Sequence, residues 1–194
     1  HCVSEGEASS MITRCSRVFV IPNGTLRPAD DELATPGTRA SLRFTFIGRL
    51  DPYHKGLDLL LKACSIAAQD LRKEQARLSV FGPDFRGGRS ILSKLIRTHG
   101  LQDVVELHDA IVGDDKRRVL ESTDVFVHTS RFEGQPLSVI EALSYGLPCL
   151  LTPGTNLATE VEEAGAGWMV SPDPSGIADG LLNALLERDK LPEM

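Results

Sequence analysis

From Ser41 onward, continuous apolar runs alternate with stretches of helical spacing. The runs are LRFTFIG, ARLSVFG, VVELHDA, DVFVHTS, LPCLLTP and GWMVSP, starting at Leu42, Ala76, Val104, Asp124, Leu147 and Gly167. Between them apolar side chains recur at helical spacing: Leu57, Leu60, Leu61 and Cys64; Ile91, Leu92, Leu95 and Ile96; Val119 and Leu120; Leu137, Ile140 and Leu143; Ile177, Leu181, Leu182 and Leu185. Short strands that are apolar throughout are buried on both faces, and the intervening helices supply the cover. The pattern predicts an α/β fold, a Rossmann-like doubly wound parallel sheet of about six strands with helices on both faces. Residues 1–40 lack this alternation. There VFVIPNGT predicts a short strand and then a turn at Asn23-Gly24-Thr25, followed by a polar, proline-containing stretch from Arg27 to Thr38. The same triplet matches a glycosylation acceptor, for which a turn is the simpler explanation.

In such a sheet, ligands bind beyond the carboxyl ends of the strands, and the unusual residues lie there. Gly48, Arg49 and then Lys55 follow the first strand, Gly82 the second, TSRFEGQP the fourth and TPGTN the fifth. A glycine closing a buried strand lets the chain turn and lets a ligand approach the backbone. Arg49 offers a planar fork and Lys55 a point charge, a pairing suited to diphosphate oxygens if both point to one rim. The plain alternative is a pair of solvated loop cations.

Glu133 and Glu141 stand eight residues apart around Gly134-Gln135-Pro136-Leu137, which reads as a helix entry with Pro136 at the first helical position. Exposed N–H groups at a helix start attract anions and hydroxyl oxygens. Helical rise puts the two carboxylates about 8–12 Å apart. That is at the edge of the ~5–9.5 Å that glycoside hydrolases use. The separation better suits two carboxylates that accept hydrogen bonds from two separate sets of hydroxyls. A nucleotide sugar has the matching order of sugar hydroxyls, diphosphate and ribose hydroxyls.

Other motifs contribute less. GPDFRGGRS lacks the lysine of a P-loop, and no GxGxxG occurs. Ser138 lacks the setting of a nucleophile elbow. His128 reads as a hydrogen-bonded structural histidine, Trp168 as a packing residue of the last strand, and Lys116-Arg117-Arg118 as a solvated helix face. The net charge of -6 argues against a general nucleic-acid binder. Cys2, Cys15, Cys64 and Cys149 have no metal or redox spacing. Buried free thiols in a reducing compartment are expected.

FIGRL…KG, VFGP, STDVFVHTSRFEGQPLSVIEALSYGLPCL and GAGWMV together resemble the C-terminal, donor-binding half of GT-B type retaining glycosyltransferases of family 4, from about Val20 to about Glu187. The resemblance implies that residues 41–194 form a nucleotide-sugar donor domain. Residues 1–40 would then be an interdomain linker and the end of a missing N-terminal half that binds the acceptor. It implies catalytic roles for Arg49 and Lys55, which would neutralise the donor diphosphate, and for Glu133, which would contact the transferred sugar. Gly48, Gly82, Gly134, Gln135, Pro136 and Leu137 would line the donor site. Glu141 would hold the ribose, and Leu107 and His108 would line the base pocket. The pattern departs at Asp109, where many relatives carry glycine. The implied donor is a UDP- or GDP-sugar, with no cofactor and no metal, since no Asp/His metal cluster appears. The expected setting is cytoplasmic, with peripheral membrane contact through the full-length protein in cell-envelope polysaccharide synthesis. The isolated chain is expected to bind donor without transferring it. A sugar-nucleotide binding module and a GT-B epimerase or phosphorylase remain as alternatives.

Overall fold

The computed structural model describes residues 23–194. The expected strand before Asn23, as well as Cys2 and Cys15, lies outside them. Six strands, β1 (Arg43–Ile47), β2 (Arg77–Phe81), β3 (Val105–His108), β4 (Val125–His128), β5 (Cys149–Leu151) and β6 (Gly167–Met169), form one sheet in the order β3-β2-β1-β4-β5-β6. Every pairing is parallel. Seven α-helices are present among the described residues: α1 (Leu57–Ile66), α2 (Ala68–Lys73), α3 (Gly88–Thr98), α4 (Gly113–Glu121), α5 (Leu137–Ser144), α6 (Ala158–Glu163) and α7 (Pro174–Leu186). The doubly wound α/β expectation holds, and all six apolar runs are strands.

Strand alternation splits the core in two. Phe44, Phe46, Leu78 and Val80 pack with Leu60, Leu61, Leu92 and Leu181 on one face. Ile47, Phe126 and Leu151 pack with Val139, Ala142 and Val161 on the other. Cys64 and Cys149 are buried free thiols; burial pushes Cys64 up to about 12 and raises Cys149 as well. Trp168 packs at the edge of the first core and donates to Glu187 over 2.9 Å.

Several local expectations are corrected. Helical cover is incomplete on the second face, where α5 and α6 pack on β4, β5 and β6. Beside β2 and β3 that face carries Arg77, Ser79 and Glu106 at an open cavity of about 390 Å³, which Arg43 and the buried Thr45 of β1 also line. These alternating polar side chains suit a sheet face left to solvent. The six-residue helices α2 and α6 were not foreseen, because fewer than two turns show no readable period. Helix α5 buries Val139 and Ala142, whereas Leu137 is exposed because it starts the helix at the sheet rim. Pro136 is the extended residue before the first helical one (φ -75°, ψ 113°). Either position tolerates proline, because the N–H that proline lacks would lie outside the helical ladder.

Residues 23–40 are tied to the domain. Gly37 N–H donates to Asp124, Ala34 N–H to the Tyr145 carbonyl, and Arg117 pairs with Glu32. No turn forms at Asn23-Gly24-Thr25. Asn23 instead grips Gln135, its backbone N–H donating to Oε1 (2.6 Å) and its side-chain amide to the carbonyl (3.1 Å).

Candidate functional site

The strand order reverses between β1 and β4, so the chains leaving these two strands flank the switch-point crevice. The loop after β1 docks on the loop after β4. Arg131 N–H donates to the His54 carbonyl (3.0 Å), and the Thr129 hydroxyl to the carbonyls of Lys55 and Gly56 (3.2 Å each). The Arg131 guanidinium forks onto Asp58 (2.8 and 2.9 Å) and lies 4.2 Å over the Tyr53 ring. His54 stacks on Phe132 with ring centroids 4.3 Å apart. On the far side, Thr152 Oγ1 donates to the Ser130 carbonyl (2.7 Å) and Asn156 Nδ2 to Gly134 O (3.2 Å). Residues 129–134 are thus clamped from both neighbouring strand ends, a role for Asn156 that sequence reading missed.

This clamp brings Lys55 and Glu133 into an ion pair, with only 11% and 13% of their side chains exposed. Glu133 Oε1 also accepts from Ser130 Oγ (2.7 Å) and faces His128 Nε2 (3.4 Å). Burial alone would raise the Glu133 carboxyl, but the hydrogen bonds from His128, Lys55 and Ser130 outweigh it and hold the group well below its ordinary 4.5. His128, expected to be structural, is fully buried beside the site. Burial lowers its pKa, the Glu133 contact opposes that, and the Lys55 charge adds to it.

The depressed Glu133 pKa has a consequence for stability. An acid whose folded pKa lies below its unfolded one stabilises fully above the unfolded value and loses this as pH falls towards the folded value. Replacing Glu133 by Gln is therefore expected to cost about 2 kcal/mol near neutrality. The melting-temperature difference between Glu133→Gln and the unaltered chain should shrink as pH drops below about 4.5. A difference that stays constant down to acid pH would contradict this.

The other expected residues divide. Gly48 borders the Lys55 stem, since a Cβ there would lie 3.8 Å from Lys55 Cε and 2.9 Å from the Phe46 ring. Gly82 is required by the backbone: a Cβ would stand 1.7 Å from the Gly48 carbonyl oxygen, where the ends of β1 and β2 run together. Arg49 does not share the buried position of Lys55. It is exposed, and its guanidinium lies 4.7 Å over the Phe85 ring. Its place follows from the Leu50 N–H to Pro83 carbonyl bond (2.9 Å), which carries the chain alongside the end of β2.

Glu141 projects from α5 and pairs with Lys116 of α4. The pair borders a cavity of about 280 Å³ that Leu26, Gly113 and Tyr145 also line. The reading of Lys116-Arg117-Arg118 as a solvated face is corrected: Lys116 and Arg117 are half-buried and paired, and Arg118 alone is fully outward. On the edge strand β3, Leu107 packs on the first core, and His108 stacks on Phe81 with centroids 4.5 Å apart. Asp109, where the pattern departs, pairs with Arg89 (2.8 Å). No helix among the described residues is long and apolar enough to cross a membrane.

Six parallel strands in this order, with cations and carboxylates gathered at the switch point, define a Rossmann-like domain whose ligand edge suits anions and hydroxyls. The family described as "Glycosyl transferases group 1" matches residues 41–187, and the chain belongs to that family. A GDP-mannose:cellobiosyl-diphosphopolyprenol alpha-mannosyltransferase of Xanthomonas oryzae pv. oryzae is 31% identical over 184 residues, covering 94% of this chain and 47% of the relative. A UDP-Gal:alpha-D-GlcNAc-diphosphoundecaprenol alpha-1,3-galactosyltransferase of Escherichia coli is 29% identical over 147 residues, covering 70% of this chain and 36% of the relative. The chain thus spans about half the length, or less, of the curated relatives it matches. The crystal structure of WaaG, a glycosyltransferase involved in lipopolysaccharide biosynthesis, superimposes with a TM-score of 0.79 over 98% of this chain and 54% of that one, at 18% identity. The fold is that of the C-terminal domain of a GT-B glycosyltransferase.

Proposed function

We propose that residues 41–194 bind the nucleoside diphosphate sugar donor of a retaining, metal-independent glycosyltransferase of family 4, with residues 1–40 leading from an acceptor-binding half. The observation that carries this is the buried Lys55–Glu133 pair at the β1/β4 switch point, with Glu141 eight residues further along a helix that starts at the same rim. In the transfer, the bond between the anomeric carbon and the diphosphate oxygen breaks, and its electron pair goes to the departing phosphate. Arg49 and Lys55 meet that developing charge. The acceptor oxygen bonds the anomeric carbon from the same face, and its proton passes to the departing phosphate oxygen. Glu133 accepts from hydroxyls of the transferred sugar and Glu141 from those of the ribose. The lowered pKa of Glu133 suits a permanent acceptor; a hydrolase general acid needs a raised one.

The names of the relatives support a UDP- or GDP-sugar donor, and a polyprenol-diphosphate-linked glycan as one class of acceptor. Such an acceptor would bring the full-length protein to the cytoplasmic face of a membrane. Gly48, Gly82, Gly134, Gln135, Pro136 and Leu137 would form the backbone wall of the donor site, and Leu107 and His108 the base end. Calorimetric titration with UDP, GDP and ADP tests the reading. One nucleotide is expected to bind at micromolar to millimolar Kd, about tenfold more weakly after Arg49→Ala or Glu141→Ala. Binding that ignores both substitutions would overturn it, and sugar transfer by the isolated chain would overturn the assignment of transfer to a two-domain protein.

A further inference from the structure

His128 closes β4 with no exposed surface. Its ring stacks on Phe46 (centroids 5.2 Å apart, planes at 12°) and lies nearly parallel to Phe126 (6.3 Å, 9°). Aromatic faces offer the imidazole no acceptor in the ring plane. Nδ1 has no hydrogen-bond partner, and it is the sole buried side-chain nitrogen or oxygen without one among the described residues. A buried N–H with no acceptor is rarer and more costly than a buried lone pair with no donor. The proton therefore belongs on Nε2, which faces Glu133 Oε1 at 3.4 Å.

That oxygen has three donors around it: Lys55 Nζ, Ser130 Oγ and His128 Nε2. A carboxylate oxygen offers about two lone-pair sites, so Oε1 is saturated. Oε2 has no donor among the described residues, and the Glu133 side chain keeps 13% of its surface exposed. The carboxylate is held by one oxygen and presents the other.

We propose that His128, as the Nε2–H tautomer, is a positioning residue that holds Glu133 by Oε1 and leaves Oε2 to accept a hydroxyl of the donor sugar. This rests on the donor-binding reading. A leucine would fill the same aromatic slot but supply no donor, so Oε1 would lose one of its anchors and the carboxylate could rotate about its terminal torsion. The sugar contact should suffer, and the nucleotide contact should not.

Two measurements test this. Two-bond proton–nitrogen correlation on chain labelled with nitrogen-15 in histidine should show His128 with a protonated Nε2 and an unprotonated Nδ1. The opposite tautomer, or averaging between the two, would overturn the proposal without reference to any ligand. In the second, UDP is compared with UDP-glucose, and GDP with GDP-mannose, by calorimetry. His128→Leu should weaken sugar-nucleotide binding about tenfold relative to the bare nucleotide, whose own affinity stays unchanged. His128→Gln, which restores a side-chain N–H donor, should recover most of it. Equal weakening of both ligands, or no recovery with Gln, would make His128 merely structural and overturn the proposal. If the unaltered chain binds none of the four ligands, the donor reading itself fails and takes this inference with it, an outcome distinct from an unchanged ratio in a chain that does bind.

Discussion

Replacing Lys55 by methionine should lower the stability of this chain by about 3 kcal/mol, because it removes the ammonium from a nearly buried ion pair and leaves the Glu133 carboxylate uncompensated. Methionine keeps the apolar stem that runs past Gly48, so the loss reports the charge and not the packing. The cost stays at the lower end of the range for such breakages, since Ser130 and His128 still donate to Glu133. For a chain of this size it corresponds to a fall in Tm of roughly 6–12 °C. Adding Glu133→Gln to the Lys55→Met chain should recover most of that, because no unpaired charge then remains. If the double variant melts lower than Lys55→Met alone, the pair is not the source of the effect. Nucleoside diphosphate affinity should fall at least tenfold in both variants. Stability and binding thus separate, since only the first is recovered.

Gly56→Ala should be comparably damaging for a different reason. Gly56 has φ +64° and ψ 20° at the start of α1, and a Cβ there would lie 1.9 Å from the Thr129 carbonyl oxygen and 2.9 Å from its carbon. The left-handed conformation alone costs an alanine about 1 kcal/mol. The overlap is with backbone, so relief requires the β1 and β4 loops to part, and a total of about 4 kcal/mol is expected. Gly100→Ala is the control: its φ is also +64°, but nothing lies within 4 Å, and it should cost only the conformational part. Thermal unfolding of the two variants separates strain from collision. Equal melting temperatures would show that the docking of the loops tolerates movement. Because the same contact seats Lys55, Gly56→Ala should also weaken nucleotide binding, and Gly100→Ala should not.

Much of the fold was written in local patterns. Six apolar runs became six strands: β5 and, up to His128, β4 are apolar throughout because both their faces are buried, and β2 and β3 carry the apolar side chains of one buried face. Periodicity failed where elements were too short to show it, as in α2 and α6, and where a helix starts at the rim, so that Leu137 faces outward while Val139 and Ala142 pack. An apolar average also hides the second face of β2 and β3, where Arg77, Ser79 and Glu106 line an open cavity.

The site divides along the same line. The spacing of Glu133 and Glu141, the strand ends bearing Gly48, Arg49 and Lys55, and the helix entry after Gln135 were determined by the sequence alone, because each depends on neighbours within one or two turns of chain. Which cation meets which carboxylate was decided only by the tertiary structure. Lys55 and Glu133 are 78 residues apart and Lys116 and Glu141 are 25 apart. The first pair meets because the chain crosses from β3 to place β4 beside β1, and the second because α4 and α5 lie close enough for their side chains to meet. The expected partnership of Arg49 with Lys55 assumed that nearness along a loop means a shared direction. Instead the end of β2 draws Arg49 to Phe85, and β4 draws Lys55 inward to Glu133. Local spacing sets what each residue can offer, whereas strand order sets what it meets, and strand order arises from long-range burial that no short stretch of sequence encodes.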